Sequence, residues 1–278
     1  MKTAAIVLPV LALLAVGAWL GLPVILHAMG LHPAYRGLHH EFPGGRALIV
    51  TTSHDRLGDT GRPTGVFASE MTAPYYAFRD GGMEVDLASI EGGPIPVDPD
   101  SLRWFVRAPS DDRYQRDEEL QTKVAHSLPV AEVDFRAYDI VYLAGGWGAA
   151  FDLGTSEVLG RKMSEAWAAG KIVGGICHGP LGLLKARAET GRPLVEGRRL
   201  TAVSDLQIRQ LGIEMTPQHP ERELRAAGAL YEKATAFRDV FADHVVVDGR
   251  LVTGQNQNAG TEVAEQMMAL ALKGMSAQ

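Results

Sequence analysis

Short apolar runs that end in glycine or small hydroxyl residues recur along this chain, and they limit its fold more than any other feature. ALIVTTS (47–53), YDIVYLAGG (138–146) and KIVGGIC (171–177) are largely apolar rather than alternating, and MEVDLASI (83–90) reads as a further strand. A strand reads that way when both its faces are covered, the condition of a parallel sheet between helical layers. The intervening segments carry helical spacing. SEVLGRKMSEAWAAG (156–170) sets Leu159, Met163 and Trp167 on one face and closes on Gly170, a C-terminal cap. In 111–128, Leu120, Val124 and Leu128 recur by four. A helix is expected within 65–80, with Pro74 near its first turn, another over 179–187, and a last one over 261–273 burying Val263, Met267 and Leu270. HVVVDGRLVTGQN (244–256) reads as a hairpin about Asp248-Gly249. Alternating strands and helices define an α/β fold, doubly wound, with a mostly parallel sheet and helices on both faces.

The first residues differ from the rest. From Thr3 to Leu31 there is no Asp, Glu, Lys or Arg. Roughly 20 apolar helical residues cross a bilayer, so 1–31 is expected to be a single transmembrane helix. An uncleaved anchor is favoured, with a cleaved signal as the alternative. HPAYRGLHHEFPGG (32–45) reads as a linker and 46–278 as the folded domain. The expected location is single-pass membrane, with the folded domain extracytoplasmic.

A net charge of −6 gives no electrostatic footprint for nucleic acid. One cysteine in 278 residues excludes an internal disulfide and any multi-thiolate zinc site. The nine histidines show no HExxH-type spacing. Neither a metal nor a cofactor is expected.

In sheets of this kind the ligand crevice lies beyond the carboxyl ends of the strands. Residues 51–55, 145–148 and 175–179 fall there. Gly175-Ile176-Cys177-His178-Gly179 has the form G-x-nucleophile-x-G, after an apolar strand and before an expected helix. A nucleophile on a sharp turn is crowded, so its neighbours must lack side chains. A thiol at a helix N-terminus would also ionise more easily. His178 can orient or deprotonate the thiol only if the elbow departs from regular helix, where consecutive side chains diverge by about 100°.

AGGWGAAFDL (144–153), GGICHGP (174–180) and DGRLVTGQNQNA (248–259) together resemble the PfpI-like superfamily, of type 1 glutamine-amidotransferase-like, flavodoxin-like fold. Residues 64–101, with a glutamate ahead of a proline-containing helix and a G-G-x-x-P-x-D-P loop, are similar to its heat-shock-induced glyoxalase III (D-lactate dehydratase) branch. The likeness spans about 46–273. It implies that Glu70 is a protonated partner of the Cys177 sulfur, and that Gly145, Gly146 and Trp147 form the oxyanion side of the pocket. It also implies a homodimer as family precedent. Two departures stand out: Trp147 replaces the histidine of many relatives' GGHG, and SDLQIRQLG (204–212) lacks the expected acid, leaving Asp205 as the candidate to orient His178. His219-Pro220-Glu221 mimics the distant His-x-Glu of glutamine amidotransferases but reads as ordinary helix-start chemistry.

The function implied is cofactor-free conversion of small, methylglyoxal-like α-oxoaldehydes to hydroxy acids through a hemithioacetal on Cys177, a lyase of stress-response type. The alternatives are a cysteine amidohydrolase, deglycase or peptidase, and a non-enzymatic, membrane-tethered redox-sensing or chaperone-like domain.

Overall fold

Because side chains alternate across a strand, a run apolar at every position must have a core on each side. The computed structural model, which describes residues 2–276, has that arrangement. Among the described residues nine strands form: β1 (Arg46–Thr51), β2 (Glu84–Ser89), β3 (Leu128–Pro129), β4 (Ile140–Leu143), β5 (Ile172–Ile176), β6 (Arg199–Leu200), β7 (Leu230–Tyr231), β8 (Val245–Asp248) and β9 (Leu251–Gly254). Seven of them make one sheet in the order β3-β2-β1-β4-β5-β9-β8, while β6 and β7 pair separately. Every neighbour in the large sheet is parallel except β8 and β9, the hairpin about Asp248-Gly249.

The helices are α1 (Lys2–Ala28), α2 (Ala68–Asp80), α3 (Pro109–Tyr114), α4 (Glu118–Ala125), α5 (Ala149–Asp152), α6 (Glu157–Ala168), α7 (Asp205–Leu211), α8 (Pro220–Ala226) and α9 (Gly260–Ser276). On one face, Ile49, Tyr142, Ile176 and Val252 pack with Met71 and Phe78 of α2 and with Val263 and Met267 of α9. On the other, Val50, Val141, Val173 and Leu251 pack with Leu159, Met163 and Trp167 of α6.

Three local expectations differ from what forms. The 111–128 segment breaks in two, because the Asp117 carboxylate accepts the Leu120 N–H at 3.1 Å and caps a new helix. The 179–187 segment is a short 3₁₀ turn, Gly179–Leu183, with Pro180 in its first turn. Pro74 lies well inside α2 rather than near its start.

The membrane location read from the sequence is corrected. Among the described residues, no helix is long and apolar enough to cross a membrane. The side chains of 1–11 and 13–15, on which much of the expected anchor falls, lie outside the described residues. The part of α1 described with its side chains without a break is residues 16–28. Within it Trp19 packs against Trp104 of the folded domain, ring centres 5.0 Å apart.

The chain after α1 lies against α9 and the loop before α3. The His32 N–H donates to Asn258 Oδ1 at 2.9 Å, and its ring Nε2 lies 2.7 Å from the Val106 carbonyl oxygen. His39 and His40 both contact the buried Glu265 carboxylate, at 2.7 and 3.0 Å.

Candidate active site

β5 delivers Cys177 to the carboxyl edge of the sheet, and the chain turns there in one residue. Cys177 has φ of +56°, a conformation that side chains rarely adopt. Two backbone bonds hold it: its N–H donates to the Gly254 oxygen and its carbonyl accepts from Val203 N–H, each at 3.1 Å. Such strain persists only where the surroundings over-determine it. The next turn can pack so closely because Gly179 lacks a side chain, whose Cβ would run into the Leu143 carbonyl.

Glu70, in the first turn of α2, is 1% exposed. The Cys177 thiol and the Gly145 and Gly146 N–H groups face its carboxyl, yet Oε2 is buried without a well-formed hydrogen bond. Burial dominates and raises the Glu70 pKa from 4.5 to about 8. The carboxyl therefore carries a proton at neutral pH. A Cβ on Gly145 would collide with that carboxyl, so the close approach depends on this glycine.

Helix spacing alone does not reveal how α2 is held. Proline has no N–H, so Pro74 cannot bond the carbonyl four residues earlier, which is that of Glu70. The Tyr142 hydroxyl, from the middle of β4, donates to it instead at 3.1 Å. The signal was present as a proline four residues after the glutamate and a lone hydroxyl inside an apolar strand.

His178 is fully buried, with Nδ1 3.4 Å from Cys177 Sγ and Nε2 without a partner. Burial, then the charge of His219, lowers its pKa from 6.5 to about 3, so it is a neutral imidazole. The expected help from a helix N-terminus is missing, since only a 3₁₀ turn follows. Burial, then the Glu70 charge, pushes the Cys177 thiol up, while the Gly146 and His178 N–H groups pull the other way.

Gly146 turns with φ of +100° and carries Trp147, half-buried, with the Arg62 guanidinium 5.7 Å from its ring centre. Asp205 begins α7 and is not brought to His178 by any hydrogen bond. Its N–H donates to Glu221 Oε2 at 3.1 Å, and its Oδ1 is buried and unpartnered, 3.9 Å from His219 Nδ1. Among the described residues, no group of His, Cys, Asp or Glu could hold a metal ion.

An open parallel sheet with a strained cysteine at the end of a central strand, a buried glutamate beside it and a histidine following it defines a class of α/β proteins built around a nucleophile elbow. Residues 63–270 match the DJ-1/PfpI family, and the chain belongs to that family. It is 32% identical over 219 residues to the glutathione-independent glyoxalase HSP31 of Saccharomyces cerevisiae, covering 75% of this chain and 90% of that protein. Among solved structures, the Rapid Encystment Protein of Francisella tularensis superposes with a TM-score of 0.76 at 29% identity, covering 82% of this chain and 99% of that one. Glyoxalase III of Candida albicans does so at 0.75 and 26%, covering 81% and 97%.

Proposed function

We propose that this protein is a glyoxalase of the glutathione-independent type, converting small α-oxoaldehydes to 2-hydroxy acids on Cys177. The observation that carries the reading is the placement of a protonated carboxyl and a neutral imidazole on the same buried sulfur. Relatives named glutathione-independent glyoxalase support the same class.

Sulfur adds to the aldehyde carbon as its proton passes to His178 Nδ1, and Glu70 gives its proton to the aldehyde oxygen, forming a hemithioacetal. The Gly145 and Gly146 N–H groups face the oxygen as charge develops. Glu70, now a carboxylate, removes the hydrogen from that carbon and returns it to the neighbouring carbonyl carbon, while the hydroxyl proton of the first carbon passes to the neighbouring oxygen. The product is a thioester of the hydroxy acid. Water cleaves its C–S bond and restores the thiol, so the sum is aldehyde plus water to hydroxy acid, with no redox partner.

Cys177 is only 7% exposed. That suits a two- or three-carbon substrate and disfavours a peptide backbone. It disfavours a redox sensor too, which needs an accessible thiolate. Amide hydrolysis would further need an oriented His178 to protonate the leaving amine, and Asp205 does not contact it.

The test is lactate formation from methylglyoxal without glutathione. Wild type should exceed Cys177→Ala by at least about 1,000-fold in kcat/KM. Equal, slow rates in both proteins would end this reading.

A further inference from the structure

The segment that follows α1 helps to close a cavity apart from the elbow. It holds about 840 Å³, and its walls come from α2, the start of α3, α9 and residues 32–41. Room for it comes from α2, where the small residues Ser69, Ala73 and Ala77 recur by four on one face. Ser69 and Glu70 are consecutive there, so their side chains diverge by about 100°. One serves the sulfur and the other this cavity, which neither Cys177 nor His178 lines. Residues 32–41 also lie ahead of 63–270, the part that matches the family, so chain outside that match helps to build the cavity.

Two features of the walls call for a ligand. Ser69 is fully buried, and its hydroxyl has no hydrogen-bond partner. Glu265 is 2% exposed, yet only the His39 and His40 rings and the His40 N–H, at 2.8 Å, meet its carboxylate. Among the described residues, no lysine or arginine lies within 4.0 Å of it. A buried carboxylate is costly unless a cation meets it. Glu41 and Asp80 line the same space, and the Arg113 guanidinium there is already bound by both Asp80 oxygens, at 2.7 and 2.9 Å. His32 adds an acceptor. Burial lowers its pKa to about 4, so the ring is neutral, and Nε2 is spent on the Val106 carbonyl, which leaves Nδ1 a lone pair.

We propose that this cavity binds an aliphatic polyamine, with one ammonium group on Glu265 and the methylenes along Ala73 and Ala77. Several hundred cubic ångströms suit an organic ligand rather than a bare ion. Three carboxylates against one guanidinium suit more than one ammonium group, and a cleft lined by one sign of charge draws in its counter-ion. The inference does not depend on the chemistry of Cys177.

The experiment is calorimetric titration of the full-length protein with spermidine at low salt, where screening is weakest. Butanediol is the uncharged control. Wild type is compared with Glu265→Gln, Ala77→Leu and Glu132→Gln. Glutamine keeps an oxygen for the two imidazoles but removes the charge, whereas leucine narrows the trough and alters no charge. Glu132 is exposed and outside the cavity. Wild type should bind a single spermidine and no butanediol. Glu265→Gln and Ala77→Leu should each weaken binding by about tenfold or more, the scale of a lost charge-assisted contact. Glu132→Gln should bind as wild type does. No binding by wild type would overturn the proposal. Equal weakening in Glu132→Gln and Glu265→Gln would overturn it too, since the polyamine would then be condensing on acidic surface at large. Should Glu265→Gln not fold, Ala77→Leu decides the point, and an unchanged affinity there would place the ligand elsewhere. Binding is read without turnover, so this inference and the glyoxalase reading fail separately.

Discussion

The two sides of His178 are built differently. Toward Cys177 and Glu70, the site is assembled from α2, the ends of β4 and β5, and glycines that leave no room for a side chain. The strained φ at Cys177, the Gly145 approach to Glu70 and the Tyr142 bond to the Glu70 carbonyl each admit one arrangement. Toward α7 and α8, polar atoms are buried but not satisfied: His178 Nε2 and Asp205 Oδ1 lack partners. Native proteins leave few such atoms, and each asks for an explanation. The contrast teaches that glycines and backbone bonds set where the sulfur and the carboxyl sit, while the buried atoms without partners, Glu70 Oε2 among them, are where a change in protonation can alter energies.

Three measurements bear on that contrast. The largest effect is expected from Glu70→Gln, which retains the shape and hydrogen-bonding capacity of the side chain but cannot exchange a proton. Methylglyoxal turnover should fall by about 100- to 10,000-fold, the usual contribution of a general acid–base group. Cys177 should remain open to alkylation. Turnover near wild type would mean that the carboxyl only fills space.

Next is Tyr142→Phe. It strands the Glu70 carbonyl that Pro74 cannot serve, and an unsatisfied buried acceptor costs about 1–3 kcal/mol. Urea denaturation should show that loss. Adding Pro74→Ala should recover part of it by supplying an N–H, and no recovery would break the link between the two residues.

The third measurement is the pH dependence of stability. Glu70 has its pKa raised on folding from 4.5 to about 8, so its stabilising contribution is full below pH 4.5 and is lost as pH rises through 8. His178 has its pKa lowered from 6.5 to about 3, so its contribution is present above pH 6.5 and is lost as pH falls through 3. Glu70→Gln should therefore lose less stability than wild type between pH 5 and 8, as read by urea midpoints. Parallel curves for the two proteins would place the carboxyl in water rather than in the packed site.

Much of this was readable in the chain. Strands covered on both faces leave unbroken apolar runs, which is why β1, β4 and β5 stood out. The hairpin was legible because Asp248-Gly249 is suited to a tight reversal. Cys177 announced itself because a crowded turn demands glycines at fixed offsets. Glu70 did not: a glutamate at the start of a helix ordinarily points to water, and only the family resemblance singled it out. Tyr142 was hidden because a tyrosine in an apolar strand looks like core. The break at Asp117 escaped notice because the leucine and valine spacing runs straight through it. The membrane assignment failed because, among the described residues, no helix is long and apolar enough to cross a bilayer.

The Tyr142 hydroxyl bonded to the Glu70 carbonyl has a mechanical consequence. Helices that rest on sheets by greasy contact can slide by fractions of an ångström, but this one is pinned from below at the very residue whose carboxyl must meet the sulfur. The position of the Glu70 backbone is thereby tied to β4, a strand in the middle of the sheet, as well as to the apolar contacts between layers. Thermal loosening of those contacts should leave the reacting pair in register until the sheet itself gives way.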